Sequence, residues 1–143
     1  MSAVQPDTEH QLYGLYQLFV RAVMTADVAT ARSCVAERGF VAQVPGHDPM
    51  DLNEFINHVA TLRRFAPDYT ERINVHDVHV QGDVIVVMYT AAFTVGAERV
   101  NHFATDVMAV EDGRVTAFRS MFNREQNQIQ AFGTVVPTPG TPK

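Results

Sequence analysis

The chain has one cysteine, Cys34, and one lysine, Lys143, and its longest apolar run, around Val84 to Met88, is far too short to span a bilayer. Each shortage closes a class of explanation. A lone cysteine excludes an intrachain disulfide and most thiolate metal sites, and on a helical segment it reads as a small buried apolar residue. Basic residues never cluster beyond Arg63-Arg64, and a net charge of −5 with a pI near 5.6 argues against nucleic acid as a partner. The N-terminus shows no basic stretch followed by an apolar one, so no signal peptide is expected and the cytoplasm is the natural compartment; no membrane partner is expected either. A glycine-rich phosphate loop and a nucleophile elbow are both missing. What is present is 143 residues, 46% of them hydrophobic, which is enough for one domain with a proper core.

Helical spacing dominates the first half. Thr8 to Thr25 carries Leu12, Leu15, Tyr16, Phe19 and Val23 on one stripe, with Thr8 as the expected N-cap. Asp27 caps a second helix reaching about Ala36, and Gly39 breaks it before a short strand, Phe40 to Val44, closed by Pro45-Gly46. Asp51 to Phe65 is a third helix, ended by Pro67. Period-two alternation then takes over in Tyr69–Val80, Asp83–Val95, Val100–Val110 and Arg114–Phe122, with turns at Gln81-Gly82-Asp83 and near Gly96-Ala97. Arg124 to Phe132 reads as a short helix. The expected organisation is one domain over residues 1–133 and a proline-rich tail over 134–143.

This order predicts an α+β fold: a curved antiparallel sheet, a half-barrel, covered by three N-terminal helices that enclose an apolar pocket. Both faces of the long strands are apolar, Ile85, Val87, Tyr89, Ala91 and Phe93 on one side and Val84, Val86, Met88 and Ala92 on the other. Helices cover only one face, so the other is expected to pack on a second subunit in a homodimer.

The chemistry concentrates in the run HFATDVMAVEDGRVTAFRSMF, His102 to Phe122. A three-residue Glu111-Asp112-Gly113 loop pairs Val110 with Arg114 and sets Asp106 opposite Phe118, Ala104 opposite Ser120 and His102 opposite Phe122. The resulting wall, with Met108, is apolar apart from one acid, whose pKa burial would raise. A two-residue Asp112-Gly113 loop would instead set Asp106 opposite Arg119 as an ordinary cross-strand ion pair. His102 shares the Asp106 face roughly 13 Å along the strand, at ~3.3 Å per residue, which suits the far end of one ligand. Tyr16 and Gln43 can supply hydrogen bonds from helix and short strand. His47 lies on a loop, His58 reads as a surface residue, and His76 and His79, three apart on a strand, point to opposite faces. No third ligand accompanies any of these histidines, so no metal is expected.

The order of elements resembles the nuclear transport factor two-like superfamily, which includes SnoaL-like polyketide cyclases, ketosteroid isomerase, limonene epoxide hydrolase and scytalone dehydratase. The resemblance runs over roughly residues 8 to 130, and FVAQVPG (Phe40–Gly46) and TDVMAVEDGRV (Thr105–Val115) carry it best. It puts Asp106 where ketosteroid isomerase has its oxyanion-hole aspartic acid. That enzyme's catalytic tyrosine falls on or near Phe19, one turn from Tyr16, and its base aspartate near Gln43 or Val44. FRSMFNREQ is similar to the last epoxide hydrolase strand, with Ser120 in place of its acid and Met88 and Thr90 near its charged pair. Neither reaction's full residue set is present. The implied function is a cofactor-independent cyclisation, isomerisation or dehydration of a hydrophobic, polyketide-like molecule. Asp106, His102 and Tyr16 are the candidate catalytic residues. Phe19, Gln43, Met88, Thr90, Ala104, Met108, Phe118, Ser120 and Phe122 are the candidate substrate contacts. The other class of reading is a non-catalytic module of the same fold that holds a hydrophobic ligand or a partner.

Overall fold

The computed structural model describes residues 6–67 and 73–122. The expected helix after Arg124 and the proline-rich tail lie outside them. Three helices, α1 (Pro6–Met24), α2 (Val28–Cys34) and α3 (Leu52–Phe65), accompany five strands, β1 (Val41–Gln43), β2 (Ile73–Gln81), β3 (Val84–Val95), β4 (Glu98–Glu111) and β5 (Arg114–Phe122).

Local chemistry accounts for the ends of the helices. Asp27 accepts a hydrogen bond from the Thr30 amide at the start of α2. Asp51 and Glu54 form a reciprocal capping box on α3, each side chain accepting from the other's backbone N–H at 2.8 and 2.9 Å. Thr8 is not the N-cap of α1. The helix already runs from Pro6, whose fixed φ and missing N–H suit a first turn.

The sheet runs β1-β5-β4-β3-β2. The last four strands form the expected antiparallel meander, but β1 pairs in parallel with β5, Val41 with Ala117 through Gln43 with Arg119, so the sheet is mixed. The helices cover one face, and Phe19, Phe55 and Phe118 meet in the core with ring centroids 5.4 to 6.4 Å apart. Cys34 is buried, and burial raises its thiol pKa.

Neither expected register of the β4–β5 hairpin is the one found. The turn is the two-residue one, with Asp112 and Gly113 both at positive φ and Glu111 paired with Arg114. On its own that turn would set Arg119 opposite Asp106, on the same face. A β-bulge intervenes: Val110 pairs with Val115, but Ala109 pairs with Ala117, leaving Thr116 as the extra residue, its hydroxyl donating to the Ala109 carbonyl at 3.2 Å. The one-residue slip restores the face, and Asp106 ends opposite Ser120. A second bulge, between Val75 and Asp77, brings His76 round to Thr90 on the outer face, where Nε2 lies 2.8 Å from Oγ1. His79, opposite Val86, shares that face, so the two histidines do not alternate across the sheet as expected.

Replacing Asp51 by Ala should remove one half of the α3 cap and lower stability by about 1 kcal/mol, a Tm decrease of about 3 °C, whereas Asp51→Asn should keep most of it. Thermal unfolding followed by circular dichroism measures both.

Candidate functional site

Asp106 sits on β4 with its side chain on the helix-covered face, 4% exposed. The Tyr16 hydroxyl, on α1, donates to its Oδ2 at 2.7 Å, a buried contact between residues 90 apart in sequence. Tyr89 on β3 donates to Oδ1 at 3.4 Å, a longer and weaker contact, and the Ser120 hydroxyl reaches the same carboxyl from the facing position on β5. Around them pack Ala104, Met108 and Phe118, and Tyr16 stacks on Phe118 at 6.4 Å.

Two effects compete at this carboxyl. Burial disfavours the charged form, while the three hydroxyls stabilise it, Tyr16 most and then Ser120 and Tyr89. Burial is the larger, and the pKa rises from 3.8 to about 6. The group therefore changes charge close to neutral pH, and the hydroxyls keep it from being pushed further.

His102 is 1% exposed, with its ring edge-on to Phe93 at 5.3 Å. It shares the Asp106 face but sits deep in the wall rather than at a rim. Phe19, at 0% exposure, belongs to the core aromatic cluster. Met88 and Thr90 are corrections. They alternate with the buried Val87, Tyr89 and Ala91, so they point to the outer face, and Met88 is 43% exposed. Gln43 is exposed too, because its buried neighbour Ala42 takes the inward position on β1. Phe122 pairs with Ala104 at the end of the β4–β5 ladder, and its side chain lies outside the described residues.

Two features escaped the sequence reading. Tyr89 was legible: the Gly96-Ala97 turn pairs Val95 with Glu98, and counting back puts Tyr89 opposite Ala104, diagonal to Asp106. The second is a histidine pair. His58 is half-buried on α3 rather than at the surface, and its ring meets that of His47 edge-on at 4.6 Å. Burial and the neighbouring His47 bring the His58 pKa down to about 4, so it is neutral at pH 7. Among the described residues no three histidine, cysteine or carboxylate side chains come together as metal ligands, and no helix is long and apolar enough to cross a membrane.

No family model matches the sequence, and no curated protein matches it. Solved structures do. A candidate SnoaL-like polyketide cyclase from Jannaschia Sp. CCS1 superposes with a TM-score of 0.74 at 16% identity, over 97% of this chain and 100% of that one. The chain has the SnoaL-like fold. IdmH from Streptomyces antibioticus, a candidate polyketide cyclase, is similar at a TM-score of 0.69 and 19% identity, covering 86% of this chain and 98% of its own. An LEH-like epoxide hydrolase from M. tuberculosis shares the SnoaL-like fold at 0.60 and 20%, over 90% of this chain and 98% of that one. This is the nuclear transport factor two-like architecture, with the helices and the inner sheet face enclosing Asp106.

Because the folded pKa of Asp106 lies above its unfolded value, its contribution to stability is complete below about pH 4 and is lost as pH rises through about 6. Near neutrality the loss is of order 2–3 kcal/mol. Asp106→Asn should remove that fall, making the variant more stable than the native chain at pH 8 and no more stable at pH 4. Urea unfolding at the two pH values measures it, and identical native and variant pH profiles would contradict the assignment.

Proposed function

We infer that the protein is a cofactor-independent enzyme of the cytoplasm that uses Asp106 as a general base on a hydrophobic, polyketide-like molecule. The observation that carries this reading is the buried carboxyl, poised near pH 6 and gripped by the Tyr16 hydroxyl at 2.7 Å. At pH 7 the ionised form predominates, and a base poised slightly below the working pH has both the right protonation state and adequate driving force. The structural relatives described as polyketide cyclases support the substrate class.

A cyclisation fits the residues without further groups. Asp106 takes a proton from an acidic carbon between two carbonyls. The electron pair released forms a carbon–carbon bond to a second carbonyl carbon of the same chain, and that carbonyl's oxygen takes the proton back from Asp106. Tyr16, Tyr89 and Ser120 hold the carboxylate in place, each through its single O–H. The apolar wall of Ala104, Met108 and Phe118 fixes the conformation of the folded chain and keeps water from the intermediate. His102, deep in the same wall, bounds its far end. The alternative is a module of the same fold that holds a hydrophobic ligand without turning it over.

The outer face of the sheet completes the reading. Phe103 is 54% exposed and Met88 43%, an apolar surface suited to a second copy in a homodimer.

Turnover of a synthetic poly-β-keto ester should rise with pH through about 6 and level off above it. Asp106→Asn should lose at least tenfold, and Tyr16→Phe should move the inflection upward by removing the strongest stabiliser of the charged form. An unchanged rate in Asp106→Asn would contradict the base role, and absence of turnover with retained binding would favour the ligand-holding module. For the outer face, Phe103→Glu should convert a dimer to a monomer by light scattering at micromolar concentration, and a native chain already monomeric there would contradict the dimer.

A further inference from the structure

We propose that the cleft at the end of β1 is a carboxylate subsite, and that the molecule acted on carries an acidic head group held there by Arg119 and His47. The inference rests on the functional reading above and narrows its substrate class to apolar carboxylic acids.

The cleft arises from the topology. Parallel pairing of β1 with β5 ends at Gln43 and Arg119; beyond it β1 turns away, and among the described residues no strand pairs with β5 on that edge at Ser120 and Met121. The gap has a volume of about 480 Å³ and is walled by residues 43–47 and 119–121. Its loop wall is pinned. The His47 amide donates to the Val44 carbonyl at 3.3 Å, and Met50 returns to exchange two backbone hydrogen bonds of 2.8 Å with Ala42. Behind the loop, the His47 ring rests edge-on against His58. A concavity held this way keeps its shape without a ligand, which lowers the cost of binding one.

Its chemistry is one-sided. Gln43, His47, Arg119 and Ser120 bring an amide, an imidazole, a guanidinium and a hydroxyl to one small space, all able to donate hydrogen bonds, and no carboxylate among the described residues lines it. Arg119 is exposed, and its planar fork matches a carboxylate in two-point contact. His58 is neutral at pH 7 and adds no competing charge behind His47. Ser120 belongs both to the cleft and to the hydroxyl set on Asp106, so the cleft meets the site at the edge of β5 through that one residue.

The test compares two probes that share a ring system, 2-naphthoate and 2-naphthol, binding to the full chain at pH 7 by amide shift perturbation. A chain of net charge −5 favours the neutral probe on general electrostatics, so preference for the acid needs a local cation. The expected result is naphthoate bound at least tenfold more tightly, with shifts centred on residues 43–47 and 119–121. The preference should vanish in Arg119→Gln, shrink in His47→Gln and persist in Arg99→Gln, which removes the same charge at the start of β4. Equal affinity for the two probes, or a preference untouched by Arg119→Gln, overturns the subsite. If Asp106 proves an ordinary low-pKa carboxyl while the naphthoate preference holds, the base falls and the subsite stands. If naphthol alone binds beside Ala104 and Met108, the subsite falls and the base stands.

Discussion

The hydrogen bond from Tyr16 to Asp106 joins the two layers of this protein at the point where they could least afford to part. A buried carboxyl without partners costs several kcal/mol when charged. Here the cost is met from both sides, by a helix hydroxyl above and by Ser120 and Tyr89 within the sheet. α1 is therefore tied to β4 through a group whose charge changes near neutrality, and the position of that helix is coupled to the protonation state of the wall beneath it. The aromatic cluster of Phe19, Phe55 and Phe118 provides the rigid bed on which this tie is placed.

The same constraint explains why the β4–β5 hairpin carries a bulge. A regular ladder from a two-residue turn would set Arg119 opposite Asp106 on one face, and the two would form a cross-strand ion pair. One extra residue, Thr116, puts Phe118 and Ser120 on the covered face with Asp106 and Met108 and leaves Arg119 outside, at the edge where β1 departs. Acid and guanidinium, adjacent in one imagined register, are separated by the sheet itself. That separation leaves one as a buried acid and the other as a surface cation.

Much of this was legible in the residues. Helical spacing in α1 and α3, the caps at Asp27 and Asp51, and period-two alternation in the four long strands fix the elements to within a few residues, because burial and capping act locally. The buried environment of Asp106 was legible as well, though for an incomplete reason: the assumed three-residue loop and the actual turn plus bulge have the same parity. A bulge leaves no mark in the alternation of so apolar a strand, and the one at Val75–Asp77 likewise moved His76 to a face the pattern did not give it. The pairing of Tyr16 with Asp106 depends on how α1 docks, which no local pattern encodes. Met88 and Thr90 were drawn inward by resemblance to an epoxide hydrolase strand, against the alternation of their own strand, and the alternation prevailed.

The central claim is that Asp106 is a buried base poised near neutral pH. It is tested most directly by following the carboxyl carbon of Asp106 through a pH titration by NMR, with Asp106→Asn to assign the resonance. A midpoint near 6 is the predicted result. A midpoint at or below the ~3.9 of a solvated aspartate would mean that water or a cation reaches the group, and would contradict the account.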